Sequence, residues 1–533
     1  MTERLAYMKY LVCGIAFWAC LFAVIWLLRP RSGIYRMTMG SRPQYTVFVS
    51  VLTLTAMIAG SSLLMTLCPK FNGEIPEHRD QYERMAESLL HGHLYLEYDD
   101  IDPKLLAMED PYDKKAREEL GVNFHWDHAF YKGKYYMYFG VVPVFLLFLP
   151  YRVMTGSPLT TYHATQIFIG LSFIGMFVLM RLLARKFFTK MPYVMYLLMA
   201  AILPFISTVH CIAKPAMYMT AFAGGICMEI WSLYFFVKAV WDTESENRAI
   251  LRAFIGAFLG ALAFGCRPPI ALANLMVIPC LVHFIKTHRV SGKLIGKLAA
   301  AATPYLVIGG LLMLYNYLRF DSPFEFGQSY QLTVADQSAY ANMLEALDVR
   351  KLFNGLIYVF VRSEELKEAF PYVSEGGAFF SYPVFLIGTL SLFGSAVRRR
   401  IRENKLGLFV ITACLTMAVI TFLDVLWSPY LLPRYKNDFM WLLSILVFVA
   451  AGHVYGSDRE ESAVQKDQGD EYAAQQDQGD EYAALICILT VVSMLICAVI
   501  FVQLDMEYFT ARQIDLILKA ARCIRLGLPV VLK

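Results

Sequence analysis

The sequence predicts an all-α membrane protein: a polytopic bundle of about a dozen transmembrane helices with one large polar loop inserted near its start. Three observations carry this. Apolar residues make up 57% of the 533 residues and charged residues only 17%, where soluble domains carry roughly 25% charged. Apolar runs of about 17–25 residues recur along the chain, enough for a helix to cross a hydrocarbon core of roughly 30 Å. Between two of these runs lies Cys68–Lys134, a polar and mostly acidic stretch.

Taken in order, Leu11–Leu28 follows Arg4 and Lys9; it is long for a signal-peptide core and has no small-x-small cleavage site, so it reads as a retained span. Further spans are expected near 45–67, 163–184, 193–209, 216–238, 251–266, 269–285, 298–317, 376–397, 406–427, 439–456 and 484–503. The chain thus divides into two N-terminal spans (1–67), a loop with juxtamembrane helices (68–162) and a membrane core with a second long loop at 318–375 (163–456). An acidic low-complexity linker (457–484), with Asp-Gln-Gly-Asp-Glu-Tyr-Ala-Ala at Asp467–Ala474 and again at Asp477–Ala484, precedes the last span and tail (485–533). The repeat is expected to be disordered and cytoplasmic.

Orientation follows from Lys and Arg in short connections. Arg29, Arg31, Arg36 and Arg42 place the first connection inside. The connections with Arg185, Lys186 and Lys190, with Lys286, Arg289, Lys293 and Lys297, and with Arg398, Arg399, Arg400, Arg402 and Lys405 join them only if Tyr135–Tyr151 does not cross. That segment carries Pro143, Pro150 and a tyrosine cluster, which suit an interfacial element. Both long loops then face outward from a plasma membrane. The net charge of +4 says little about partners, and no basic block interleaved with aromatics suggests nucleic acid. The 11 cysteines sit mostly in apolar runs and lack metal spacing.

Within the first loop, Tyr82, Met85, Ala86, Leu89 and Leu90 recur at helical spacing, and Asp80, Glu83, Glu87 and His91 fall opposite. Gly92 ends the pattern, as a left-handed residue closes a helix. Such a helix is expected to lie flat with its apolar face in lipid. Asp80 stands at the cap, with Glu83 completing a capping box. A cap carboxylate at a membrane surface still keeps an oxygen free to act as a base. Asp127, in His125-Trp126-Asp127-His128, is the second candidate acid; it reads equally as a loop acid or a partner for Lys132, in the turn Lys132-Gly133-Lys134. The histidine pairs 91/93 and 125/128, and Asp100-Ile101-Asp102, are short metal-like patterns on an acidic loop and read as solvated.

The expected topology puts Lys214, Arg267, Arg319, Arg434 and Lys436 at outer ends of spans, where Lys and Arg are normally scarce. Some are expected to snorkel or to pair with acids such as Asp438; several gathered at one face would hold a phosphate near the headgroups. An acid and such cations suit attack of a hydroxyl on a sugar carbon whose leaving group is a lipid phosphate. This needs no nucleotide or organic cofactor; a divalent metal is the alternative.

At this point the chain resembles the GT-C superfamily of polyprenyl-phosphate-sugar-dependent membrane glycosyltransferases, in particular protein O-mannosyltransferases and aminoarabinose transferases. The likeness rests on His78-Arg79-Asp80-Gln81-Tyr82 through Leu89-Leu90-His91-Gly92, and on Lys134 before the apolar Tyr135–Tyr151. Arg267-Pro268-Pro269, Arg319–Tyr330 and Arg434-Tyr435 through Asp438-Phe439 resemble motifs of an uncharacterised bacterial branch. The resemblance implies an outer-face active site with Asp80 as the base, Lys134 as a loop contact and a lipid-linked donor. With the residue reading above, the candidate catalytic acids are Asp80 and Asp127, the candidate substrate contacts Arg267, Arg434, Lys436, Lys214, Lys134, Tyr82 and Arg319, and the acceptor a glycan, lipid or protein. Where the family has Lys-Pro-Pro this chain has Val141-Val142-Pro143, and the second acid beside the base is replaced by Gln81. The competing expectations are a transporter or flippase of lipid-linked saccharides, marked by Glu229 within a span, and a non-catalytic subunit of an envelope-polymer assembly.

Overall fold

The computed structural model describes residues 2–41, 43–67, 80–243, 245–333, 348–363, 365–368, 372–427, 433–464, 469–505 and 509–531. The start of the first loop, with His78 and Arg79, lies outside them. The protein is a helical membrane bundle, with ten helices among the described residues long and apolar enough to cross. They match ten of the twelve expected spans. The other two are shorter. One is the 15-residue helix Tyr193–Ser207, with Pro204 inside it, continued after Thr208 by Val209–Ala213. The other breaks at Tyr382-Pro383 into Ala378–Ser381 and Pro383–Ser391, because proline has no N–H to continue the ladder. The acidic repeat expected to be disordered is helical where described, in Gly469–Asp505; its Ala, Glu and Gln are good helix formers. The tail forms a further helix, Ala511–Val531.

Backbone pairing fixes which ends of the bundle lie together. Met39 N–H donates to Met191 O at 3.2 Å and Tyr193 N–H to Met37 O at 2.7 Å, so the basic connections before Pro43 and after Phe187 meet. At the opposite end Glu83 of the first loop accepts from Thr161 N at 2.9 Å, at the start of the helix Thr161–Phe187. One crossing out along Pro43–Thr66 and one back along Thr161–Phe187 therefore close the circuit, and 135–151 does not cross. It folds instead as the end of a strand, a turn of π-helix at Val144–Phe148 and the short helix Leu149–Thr155.

The two long loops are joined by a small sheet that the sequence did not announce. Strand β1 (His128–Tyr131) pairs antiparallel with β2 (Lys134–Tyr136) and with β3 (Gln331–Leu332), with His128 opposite Leu332 and Ala129 opposite Gln331. The β1–β2 turn is the expected Lys132-Gly133; φ of 49° and 74° puts both in the left-handed region that a tight hairpin needs.

The helix Gln81–Leu90 forms where its spacing predicts and is followed by Gly92 at φ 79°. Its apolar face does not lie in lipid. Tyr82, Met85 and Ala86 are buried against Phe130, Tyr135, Met137, Val144 and Phe148. Amphipathic spacing says that one face is dry, not which apolar surface covers it.

The second loop is fastened to the core by buried charge. Glu375 lies 2.9 Å from His210 Nε2 and 3.0 Å from Lys436 Nζ, and Lys436 also donates to Gly376 O. Lys436, expected to face substrate, is thus enclosed in this cluster. Burial pushes the Glu375 carboxyl up, but the attraction of Lys436 and His210 outweighs it and holds the group down at about 2. Its contribution to stability is therefore present above the ordinary value of 4.5 and lost as pH falls from there toward about 2. Lys436→Met leaves the carboxylate short of a counter-charge and is expected to cost about 3–5 kcal/mol. Thermal unfolding of the purified protein near neutral pH checks this: a melting temperature equal to wild type contradicts a stabilising role for the pair.

Candidate active site

Asp80 begins the helix Gln81–Leu90 but makes no side-chain cap. Its Oδ2 pairs with Arg84 Nε at 2.5 Å, one turn on, and its Oδ1 lies 3.5 Å from the Tyr98 hydroxyl. The expected capping box does not form, because Glu83 turns away to the N-terminus of Thr161–Phe187. There it satisfies a helix N–H that has no partner within its own helix. Burial pushes the Glu83 carboxyl up to about 8. Burial also raises Asp80 above its ordinary value, with Arg84 opposing. A carboxylate raised in this way is a better proton acceptor than an exposed one.

Gln81 holds the loop in place. It is fully buried, donates from Nε2 to Asp127 O at 2.9 Å and accepts from Tyr138 N–H at 3.3 Å. A carboxylate here would set an anion against the Asp127 carbonyl, which explains why this loop has an amide where the resembled family has an acid.

Asp127 is buried in a left-handed conformation at φ 57°. Its carboxylate accepts from the Tyr218 hydroxyl and from Gln331 Nε2 at 2.9 Å, while its N–H donates to Leu332 O at 2.9 Å. Burial raises its carboxyl, and the Tyr218 hydroxyl opposes that rise. Asp127 therefore ties the first loop to the second and to the start of the helix Met217–Trp241.

Tyr218 carries the link to the cations. The Arg434 guanidinium lies over its ring at 4.6 Å, within cation–π range, and near Tyr435 at 5.8 Å. Among the described residues no carboxylate pairs with Arg434. Arg267 is bound on both sides: its Nε and Nη2 reach Asp438 at 2.6 and 2.7 Å, and its face lies 3.7 Å from the Phe222 ring centre. The first loop rests on the turn that presents it. Val142 N–H donates to Gly265 O at 3.0 Å, and a Cβ on Gly140 would stand 2.2 Å from that oxygen. Tyr82 and Tyr138, both flanking Gln81 in the fold, lie within the field of Arg267. Asp80, Asp127, Arg267 and Arg434 thus belong to one contiguous set of contacts.

The remaining expected residues sit elsewhere. Arg319 is buried and donates to Met137 O and Asn316 Oδ1, both at 2.8 Å, holding a span end to the loop. Lys134 is exposed with its ammonium 4.1 Å over Tyr95. Lys214 follows the helix Val209–Ala213. Tyr82 stacks on Phe148 at 5.2 Å. Of the metal-like patterns, Asp102 caps Lys104 N and Asn123 N at 2.8 Å, and Asp100 pairs with His125 at 2.9 Å. No group of three or more ligating side chains gathers among the described residues. Tyr98 and Tyr218 were missed in the sequence, and Gln81 and His128 were named there without these contacts, since nothing in their spacing marks partners this distant along the chain.

No protein-family model and no curated protein matches the chain. Two solved proteins are similar at low identity. One is the archaeal oligosaccharyltransferase AglB from Archaeoglobus fulgidus, in complex with an inhibitory peptide and a dolichol-phosphate: 14% identity over 85% of this chain and 56% of that one, TM-score 0.41. The other is ArnT from Cupriavidus metallidurans bound to undecaprenyl phosphate: 12% identity over 89% and 77%, TM-score 0.39. The chain therefore spans little more than half the length of AglB. Both belong to the GT-C superfamily, and identity this low leaves residue roles to the geometry above.

Asp127→Ala strands the Tyr218 hydroxyl and the Gln331 amide, at about 1–3 kcal/mol for each unsatisfied donor. Asp127→Asn keeps an acceptor and tolerates the left-handed backbone, so it is expected to lose less. Comparing the thermal unfolding of the two variants with wild type checks the junction, and equal melting temperatures for all three contradict it.

Proposed function

We propose that this protein is a membrane glycosyltransferase that moves a sugar from a polyprenyl-phosphate donor to a hydroxyl acceptor at the outer face of the plasma membrane. The acceptor oxygen attacks the anomeric carbon, its proton passes to Asp80, and the carbon–oxygen bond to the lipid phosphate breaks. The negative charge that grows on the departing phosphate is met by Arg434, with Arg267 and its aromatic neighbours forming the adjoining wall. A single displacement of this kind inverts the anomeric centre. The observation that carries the reading is Arg434 itself. Arg267 and Lys436 are held by internal carboxylates and Arg319 by internal acceptors, whereas Arg434 is half-buried without one among the described residues. Through Tyr218 and Asp127 it is tied to the loop that presents Asp80.

Transport of a lipid-linked saccharide rests on Glu229. That carboxyl is enclosed, accepting from Asn274 Nδ2 at 2.6 Å, and Asn274 is held in turn by Tyr305 and by Gly260 O. A fixed bond between packed helices suits assembly better than passage.

With purified protein and a polyprenyl-phosphate hexose, Asp80→Asn is expected to lower kcat about 10²–10⁴-fold, the usual contribution of a positioned base. Arg434→Gln is expected to cost about 10²–10³-fold, as loss of a transition-state donor does. Full transfer by Asp80→Asn contradicts the assignment. For orientation, a single cysteine at Lys134 should label from outside intact cells and one at Arg399 only after permeabilisation; the reverse pattern inverts the proposed face.

A further inference from the structure

Behind Asp80 lies a pair of side chains that the scheme above does not use. The Tyr98 hydroxyl stands 2.8 Å from His128 Nε2 and 3.5 Å from Asp80 Oδ1. His128 is fully buried, and its Nδ1 faces Trp126 O at 2.8 Å. The amide of Gln81, 3.2 Å from the same nitrogen, also donates to Asp127 O at 2.9 Å. A carbonyl accepts only, so Nδ1 carries the proton and Nε2 accepts from Tyr98. The Tyr98 hydroxyl thus has one proton and two acceptors in reach.

We propose that Tyr98 and His128 are positioning residues that set the basicity of Asp80, the Tyr98 hydroxyl turning its single proton between the imidazole and the carboxylate. This deepens the reading of Asp80 as the base and rests on it. While His128 is neutral, its Nε2 holds the Tyr98 proton and Asp80 Oδ1 is left for the acceptor hydroxyl. When His128 takes a proton from water on Nε2, that nitrogen becomes a donor to the Tyr98 oxygen. The Tyr98 O–H then turns to Asp80 Oδ1, and a carboxylate that already accepts a hydrogen bond is a weaker base. No bond other than these O–H and N–H contacts changes.

The surroundings keep Tyr98 on this axis. Arg84, the partner of Asp80, lies over one face of the ring at 4.3 Å. His125 stacks on Tyr98 at 3.9 Å, and it pairs with Asp100. Among the described residues, the rings of His125 at 5.6 Å and Tyr135 at 5.7 Å also face His128. Burial and the charge of Asp80 keep the Tyr98 phenol well above its ordinary value, so it passes a hydrogen bond without ionising.

The test is the acid limb of kcat/KM for the full chain in nanodiscs with a polyprenyl-phosphate hexose. Wild type should fall in two steps, a partial loss as His128 takes its proton and the rest as Asp80 does. Tyr98→Phe keeps the ring stack and should leave a single step, as should His128→Gln, whereas His125→Gln should leave both steps. The same two-step limb in wild type and Tyr98→Phe overturns the proposal. If Asp80→Asn is fully active, the assignment of Asp80 as the base fails instead, whereas no transfer by wild type removes the glycosyltransferase reading. A readout independent of turnover is ¹⁵N NMR of labelled histidine at pH 8. The proposal requires the Nδ1–H form of His128, with an Nε2 shift that moves in Tyr98→Phe; an Nε2–H form overturns it.

Discussion

Asp127 fastens three separate parts of the chain to one another. Its carboxylate receives Tyr218 from the membrane core and Gln331 from the second loop, and its carbonyl receives Gln81 from the helix that starts at Asp80. A residue at φ 57° is sterically strained unless glycine, and Asn and Asp bear it best. The position therefore asks for an acid twice over, for its backbone and for its two buried donors. Each donor left unmatched would cost about 1–3 kcal/mol. Because Tyr218 is held from below, its ring offers a fixed face to Arg434.

Charge at this end of the bundle follows one rule. A buried cation needs an internal partner, because desolvation without one costs several kcal/mol. Arg267 has Asp438; Lys436 has Glu375; Arg319 has a carbonyl and an amide oxygen. These pairs build the rim instead of serving as its ligands. Arg434 has no carboxylate at ion-pair distance among the described residues, and the planar fork of a half-buried guanidinium between two tyrosines suits two oxygens of an anion such as phosphate. Asp80 departs from the ordinary in the other direction: a carboxylate raised by burial and restrained by Arg84.

The spans were legible because a hydrocarbon core demands about 20 apolar residues, a signal that survives any tertiary arrangement. The helix Gln81–Leu90, its stop at Gly92 and the Lys132-Gly133 turn were legible for a similar reason, since each rests on local backbone chemistry. What failed depended on contacts far apart in the chain. Glu83 has capping-box spacing, yet Thr161 offers it an unpartnered N–H 78 residues away. The apolar face of that helix found Phe148 rather than lipid. Strand β3, two residues long, has no periodicity to read and exists through its pairing with β1. The cations were seen as a group with Asp438 as one partner, but that Arg267, 171 residues away, takes it, and that Glu375 takes Lys436, depends on contacts the sequence cannot bring near.

The central claim is spatial: a lipid phosphate binds at Arg434, within reach of the carboxylate of Asp80. A cryo-EM structure of the protein in nanodiscs with undecaprenyl phosphate tests it most directly. The account predicts phosphate density at hydrogen-bond distance from the Arg434 guanidinium, about 2.7–2.9 Å from nitrogen to oxygen, on the Asp80 side of the Tyr218 ring. Phosphate bound at the opposite end of the bundle, with Arg434 untouched, would contradict it.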